Sequence, residues 1–177
     1  NEILKAYSEI LEIKKQIREL EKSMQESCLS EDIIKHENLL TKYDLLGGYS
    51  YLKEYNTAIK KFGFTEYDKS KKLCEFSGGQ RTKIALIKLL LSKPDLLILD
   101  EPTNHLDITS IEWLENYLAS YQKAIVVVSH DRAFLDKFVN VVYEIERHKI
   151  KRYVGNYSQF VKNKEINYEK ELKDYKV

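Results

Sequence analysis

An α/β fold, a helical subdomain followed by a short parallel sheet, is predicted by three features of the sequence. Apolar residues recur at heptad spacing through the first 27 residues. Two apolar runs ending at Asp100 and Ser129 flank a helix-period segment, which is the pattern of a βαβ unit. Pro94 stands between the two regimes and closes the last helix of the first.

Residues 1–27 read as one long helix. Ile3, Ile10, Ile17 and Met24 recur every seven residues, and Ala6, Ile13 and Leu20 sit three residues further on, an a/d seam with Glu, Lys, Gln and Arg between. Ser30 before Glu31 and Asp32 has the form of an N-cap with an acidic first turn. A second helix should then run to the Gly47-Gly48 stop, with Ile33, His36, Leu40 and Tyr43 as its matching seam. A connection of few residues makes the pair an antiparallel hairpin. A third helix, 51–62, ends at Gly63, and the Ser77-Gly78-Gly79 turn opens a fourth that continues to about Ser92.

Beyond Pro94, strand Leu96–Asp100, helix 108–121 and strand 124–129 form the βαβ unit, with parallel strands and a right-handed crossover. Helix 132–139 follows, then a hairpin of 141–146 and 149–153, and a last charged helix from near Tyr157 to Val177. No internal repeat or low-complexity linker interrupts the pattern. The expected organisation is a helical subdomain over 1–92, a truncated α/β core over 93–156 and the start of a connecting helix over 157–177.

Composition narrows the classes. The 177 residues are 43% hydrophobic and 32% charged, which describes a globular protein with a heavily charged surface. A net charge of +1 argues neither for nor against nucleic acid, so any electrostatic partner signal has to be local. The longest apolar run, around 84–91, is broken by Lys88 and falls far short of the roughly 20 residues that span a bilayer. No signal-peptide pattern precedes it. Cys28 and Cys74 are isolated, with no C-x-x-C and no His at ligand spacing, which favours thiols in a reducing cytosol over a disulfide or metal site. Met24 is the only Met, and the chain is expected to be a piece of something longer.

The chemistry concentrates in three motifs. In Leu96-Leu97-Ile98-Leu99-Asp100-Glu101-Pro102 an apolar strand delivers two adjacent carboxylates and a proline stops it. Asp100 is placed to hold Mg²⁺, directly or through water, and Glu101 to orient or deprotonate an attacking water. A lone Asp-Glu pair is usually a solvated strand end, but the extension Thr103-Asn104-His105-Leu106-Asp107 makes this string long and specific. Ser77, Gly78 and Gly79, followed by Gln80, offer a hydroxyl and backbone N–H groups at a helix start, an arrangement suited to an anion. Ser-Gly-Gly alone is more often a simple cap. His130 lies just past the second strand, in Ser129-His130-Asp131-Arg132. His36, His105 and His148 have no partners in sequence and suit surface roles. Lys14, Lys15, Arg18 and Lys22 on the first helix read as a solvated face.

SGGQ, LDEPTNHLD and SHD, in that order, resemble the nucleotide-binding domain of an ABC ATPase, a P-loop NTPase fold. The resemblance implies that Ser77, Gly78, Gly79 and Gln80 form the signature that touches the γ-phosphate of a nucleotide bound on the other half of a dimer. It implies that Glu101 is the catalytic carboxylate, His130 the switch histidine and Asp107 the D-loop carboxylate that crosses the dimer interface. Asp100 then holds Mg²⁺ beside ATP. The chain departs from the pattern by omission. No G-x-x-x-x-G-K-[ST] phosphate loop occurs among its residues, so by itself it is expected to bind Mg·ATP weakly or not at all.

Finer detail resembles the ABC-F class of soluble twin-domain ATPases. GGYSYLKEYNTAIKKFGF precedes the signature, SGGQRTKIALIKLLLSKPDLLILDEPTNHLD starts with it, SIEWLENYL and VVVSHDRAFLD come next, and RYVGNYSQFVKNKE lies beyond the core. Members act on the ribosome in the cytoplasm, as translation factors or as proteins that relieve antibiotic inhibition. The resemblance implies a second ATPase half of the same protein as partner, and ribosomal RNA or tRNA as a contact of the helical hairpin. Loss of core strands should expose apolar sheet and promote self-association. A transporter ATPase subunit and the C-terminal head lobe of an SMC-like chromosome protein share the three motifs and stay open as alternatives. So does a catalytically silent interaction module, although Glu101 and His130 argue against it.

Overall fold

The computed structural model describes residues 2–26, 30–146 and 148–174, which pack as two compact units, Asn1–Pro94 and Asp95–Val177.

The first unit is helical. A 3₁₀ turn, Ile3–Tyr7, runs into α1 (Ser8–Glu26), followed by α2 (Ser30–Leu45), α3 (Tyr51–Lys61), two short 3₁₀ turns and α4 (Gly78–Leu91). The first helix is therefore not continuous α from its start. Its opening turn is tightened where Ile3 and Tyr7 are drawn inward, with the Tyr7 ring 5.2 Å from that of Tyr51. Glu2 ties this turn to α4. It pairs with Lys5 at 2.7 Å and Lys88 at 2.6 Å, and hydrogen bonds from these two lysines lower its carboxyl to about 2.

The expected seam is present on α1 and only half present on α2. Ile3, Ile10, Ile13 and Ile17 are buried, with Ala6, Leu20 and Met24 half-buried. On α2, Tyr43 is buried and His36 and Leu40 are half-buried, whereas Ile33 remains 46% exposed. Two helices alone cover each other on one side only, and the apolar residues of α2 outside that strip stay wet. Ser30, expected as a cap, is instead the first helical residue, and the residue before it lies outside those described, as does Cys28. His36 also has a partner that its sequence context did not suggest: its Nε2 lies 3.2 Å from Glu21 Oε1 across the hairpin. At the Gly47-Gly48 stop the reason for glycine is steric. A Cβ on Gly48 would come within 2.5 Å of the Tyr43 ring, while Gly47 turns the chain at φ +77°.

The second unit carries β1 (Leu96–Asp100) and β2 (Ala124–Val128), joined through α5 (Ile108–Ala119). The strands are parallel, in a register that sets Leu96 against Ala124 and Asp100 against Val128. Leu97 and Leu99 point inward and, with Leu114, Leu118 and Phe134, are among the buried residues of this unit. Each such side chain is worth about 1.5–3 kcal/mol over its exposed state. The opposite face of the sheet is open: Leu96, Ile98, Val126 and Val128 are 50–63% exposed. α6 (Arg132–Asp136) stops short of the expected Val139, because the chain passes through a turn at Lys137 and Phe138. β3 (Val141–Glu146) and β4 (Lys149–Val154) form a separate antiparallel hairpin, and α7 (Tyr157–Asp174) returns across it.

Candidate functional site

Buried Leu97 and Leu99 anchor β1, so its last residue, Asp100, emerges exposed at the C-terminal edge of the sheet. The next residue extends the ladder by one bond, its N–H donating to the Val128 carbonyl at 2.8 Å. Glu101 does this at φ +44°, in the left-handed region, where a residue with a Cβ carries a cost of about 1–2 kcal/mol. Pro102, buried, ends the strand. The Thr103–Leu106 turn is closed by Asn104 N–H donating to the Glu101 carbonyl and Leu106 N–H to that of Thr103, both at 3.1 Å, with His105 also left-handed at φ +65°. Asp107 then begins α5: its Oδ1 accepts the Ser110 backbone N–H at 2.8 Å.

β2 delivers the second part. Ser129 Oγ accepts the Asp131 N–H at 3.1 Å, and Asp131 Oδ1 caps α6 by accepting from Phe134 N–H at 3.0 Å. Between them His130 projects fully into solvent, and its Nε2 lies 3.7 Å from Glu101 Oε1. The Glu101 side chain is 26% exposed. Asp100, Glu101 and His130 therefore gather at the ends of two paired parallel strands, the usual position of a ligand crevice in open α/β sheets. Asp107 lies in the same loop system and is engaged as a cap.

In the first unit, Ser77 precedes α4 as its N-cap. Ser77 Oγ accepts the Gln80 N–H at 3.2 Å and Gln80 Oε1 accepts the Ser77 N–H at 3.0 Å, a reciprocal capping box. Gly78 faces open space: an added Cβ would meet nothing within 4 Å. The segment leading here is held by Asp68, whose Oδ2 accepts from the Thr65 N–H and hydroxyl at 2.8 and 2.6 Å. Lys71 pairs with Asp68 Oδ1 at 2.7 Å, and together these donors hold the Asp68 carboxyl far below the usual carboxylate range. The Lys71 ammonium also lies 5.7 Å from the Phe76 ring, immediately before the cap.

Two details escaped the sequence reading although a signal was there. A cap at Ser77 was weighed, but Ser77-x-x-Gln80 is a full capping-box pattern, and Asp107-x-x-Ser110 is an N-cap pattern ahead of a helix. The left-handed backbone of Glu101 had no such signal.

For Mg²⁺ the chemistry fits. No group of three or more His, Cys, Asp or Glu side chains that could hold a metal ion occurs among the described residues. One exposed strand-end carboxylate with a second beside it is the donor set Mg²⁺ takes when phosphate oxygens and water complete its shell.

Fold and sequence together define an ATP-binding-cassette domain. The family model described as ABC transporter matches residues 2–104, and a second model of the same description matches 143–177; the chain belongs to this family. A solved ATP binding subunit of an ABC transporter superposes with a TM-score of 0.51 over 60% of this chain and 45% of that one, at 19% identity, a likeness of fold alone. The protein YdiF of Bacillus subtilis (strain 168) is 51% identical over 146 residues, covering 78% of this chain and 23% of that protein. ABC transporter F family member 5 of Arabidopsis thaliana is 38% identical over 170 residues, covering 92% of this chain and 24% of that protein. The energy-dependent translational throttle protein EttA of Mycobacterium tuberculosis (strain CDC 1551 / Oshkosh) is 57% identical over 88 residues, or 50% of this chain and 16% of that protein. The chain thus spans about a quarter of the length of these curated relatives that match it over most of its own length. No described helix is long and apolar enough to cross a membrane.

Proposed function

We propose that this chain is part of an ABC-F ATPase, which binds and hydrolyses ATP to act on the ribosome. The observation that carries the ATPase reading is the placement of Glu101 and His130 within 3.7 Å of each other at the ends of paired parallel strands, next to Asp100. The ribosomal reading is supported by the names of two relatives, an ABC transporter F family member and a translational throttle protein.

Bound Mg·ATP would supply the phosphoanhydride to be cleaved and a cation that neutralises its charge. Asp100 would hold the metal, directly or through water. Glu101 Oε orients the attacking water and accepts its proton, with His130 Nε2 3.7 Å away. His130, fully exposed between Ser129 and Asp131, meets the γ-phosphate and the water. Ser77, Gly78, Gly79 and Gln80 present the open N-terminus of α4 to a nucleotide held by the other half of the dimer, with Asp107 at the interface between halves. The second ATPase half of the same protein and ribosomal RNA or tRNA are the partners, in the cytoplasm. The helical hairpin of α1 and α2 is the segment offered to the ribosome.

Co-sedimentation of the intact protein with ribosomes tests this. Glu101→Gln, with the matching change in the other half, should lower ATP turnover by about 10²–10⁴-fold and retain the protein in the pellet only when Mg·ATP is present. Unchanged turnover refutes the role of Glu101. Intact ATP binding without pelleting moves the assignment to a transporter subunit or a chromosome protein. The 177 residues alone, lacking a phosphate loop, should bind Mg·ATP weakly; tight stoichiometric heat in calorimetry would sink that expectation.

A further inference from the structure

The segment behind His130 is fastened to α7 by a carboxylate that the proposed reaction does not use. Asp136 ends α6, and both its oxygens accept from a single residue. Oδ1 takes the Ser158 backbone N–H at 2.8 Å, and Oδ2 takes the Ser158 hydroxyl at 2.9 Å. Ser158 is the second residue of α7, where an amide has no partner within its own helix. The carboxylate also meets the positive end of the helix dipole.

These bonds are not what starts α7. Asn156 and Gln159 already cap that turn reciprocally, at 3.0 Å in each direction. What the Asp136 bonds add is the position of the turn relative to α6. That helix is five residues long, capped at one end by Asp131, and Phe134 and Leu135 are buried. A helix so short and so pinned moves as a block, so His130, just ahead of its cap, and Asp136, at its far end, shift together. Further along, α7 rests on the hairpin through the Lys164–Glu144 pair and through Phe160, whose ring centroid is 4.9 Å from that of Tyr153.

We propose that Asp136 is a positioning residue: through Ser158 it joins the His130 loop, α6 and the first turn of α7 into one mechanical unit, so that drawing His130 onto a nucleotide moves α7 with it. The proposal rests on the reading of His130 as the group that meets ATP. Its support is spatial: a continuous chain of bonded and hydrogen-bonded groups joins the two ends, through Asp131, α6, Asp136 and Ser158.

Hydrogen exchange on the intact protein, in the Glu101→Gln background with and without Mg·ATP, tests both parts separately. With Asp136 present, ATP should slow exchange over 129–132 and also over 157–160. With Asp136→Ala, the response over 129–132 should persist and that over 157–160 should vanish. In the protein with native Glu101, the same substitution should lower kcat about tenfold and leave KM for ATP unchanged, and Asp136→Asn, which keeps one acceptor oxygen, should restore part of it. Ser158→Ala removes only the hydroxyl bond, leaves the helix cap intact and should give an intermediate α7 response. An α7 response in Asp136→Ala equal to that with Asp136 overturns the tether. Absence of any response over 129–132 with Asp136 present overturns the reading of His130, and the tether with it.

Discussion

Two acidic residues in one loop show how the same side-chain chemistry is set to different tasks by its surroundings. Glu101 has its backbone bound to Val128 and its carboxylate beside His130, whereas Asp107 turns a carboxylate oxygen back onto Ser110. Asp107 therefore carries a stabilising role whatever it does at an interface, and substitution separates the two. Asp107→Ala removes the cap and should cost about 1 kcal/mol of stability, whereas Asp107→Asn keeps an acceptor oxygen at the cap and should cost a few tenths at most. If the carboxylate also serves turnover, Asp107→Asn melts normally and hydrolyses ATP slowly. Normal melting with normal turnover shows that it only caps. The cap was readable from Asp107-x-x-Ser110. The strained backbone of Glu101 was not, because glutamate has no preference for positive φ.

Helices and strands follow the local pattern closely, and the deviations have a common cause. The break at Pro94, the stop at Gly47-Gly48 and the capped starts of α4 and α5 all sit where residue chemistry alone places them. The 3₁₀ turn at Ile3–Tyr7, the short α6 and the half-covered seam of α2 depend on what packs against them. α7 makes the point energetically. It is held to β3 by Lys164 paired with Glu144, a carboxylate that also accepts from the Tyr153 hydroxyl at 3.2 Å. The hydrogen bond from Lys164, aided by its charge, holds the Glu144 carboxyl below the ordinary glutamate value of about 4.3. A depressed carboxyl stabilises the folded form fully above that ordinary value and loses the contribution as pH falls through the lower folded value. Limited proteolysis should accordingly find α7 more readily cleaved as pH drops below about 4. Glu144→Gln should abolish that acid dependence, and an unchanged profile in the variant assigns it to other groups.

At the level of the whole molecule, the exposed face of the β1–β2 sheet governs behaviour. Parallel strands are ordinarily covered on both faces, and here Leu96, Ile98, Val126 and Val128 leave one face open. The hairpin adds Tyr143, Ile145, Ile150 and Val154, each more than 60% exposed. The 177-residue chain on its own should therefore associate, with an apparent mass in light scattering that rises with concentration. Replacing Ile98 and Val126 by Thr should reduce the association, since both lie on the open face. A monodisperse monomer at all concentrations would count against it.

The sequence by itself determined the element order, the helix start at Ser77, the strand that ends in Asp100-Glu101 and the family to which those motifs belong. Each of these depends on residues near one another in the chain, where periodicity and cap chemistry act. Tertiary structure decided which groups meet. It brought His130 to Glu101 across 29 positions and Asp136 to Ser158 across 22, and it left the face of the sheet that carries Ile98 uncovered. Such pairings are set by how strands register and helices pack in space, which local spacing does not encode.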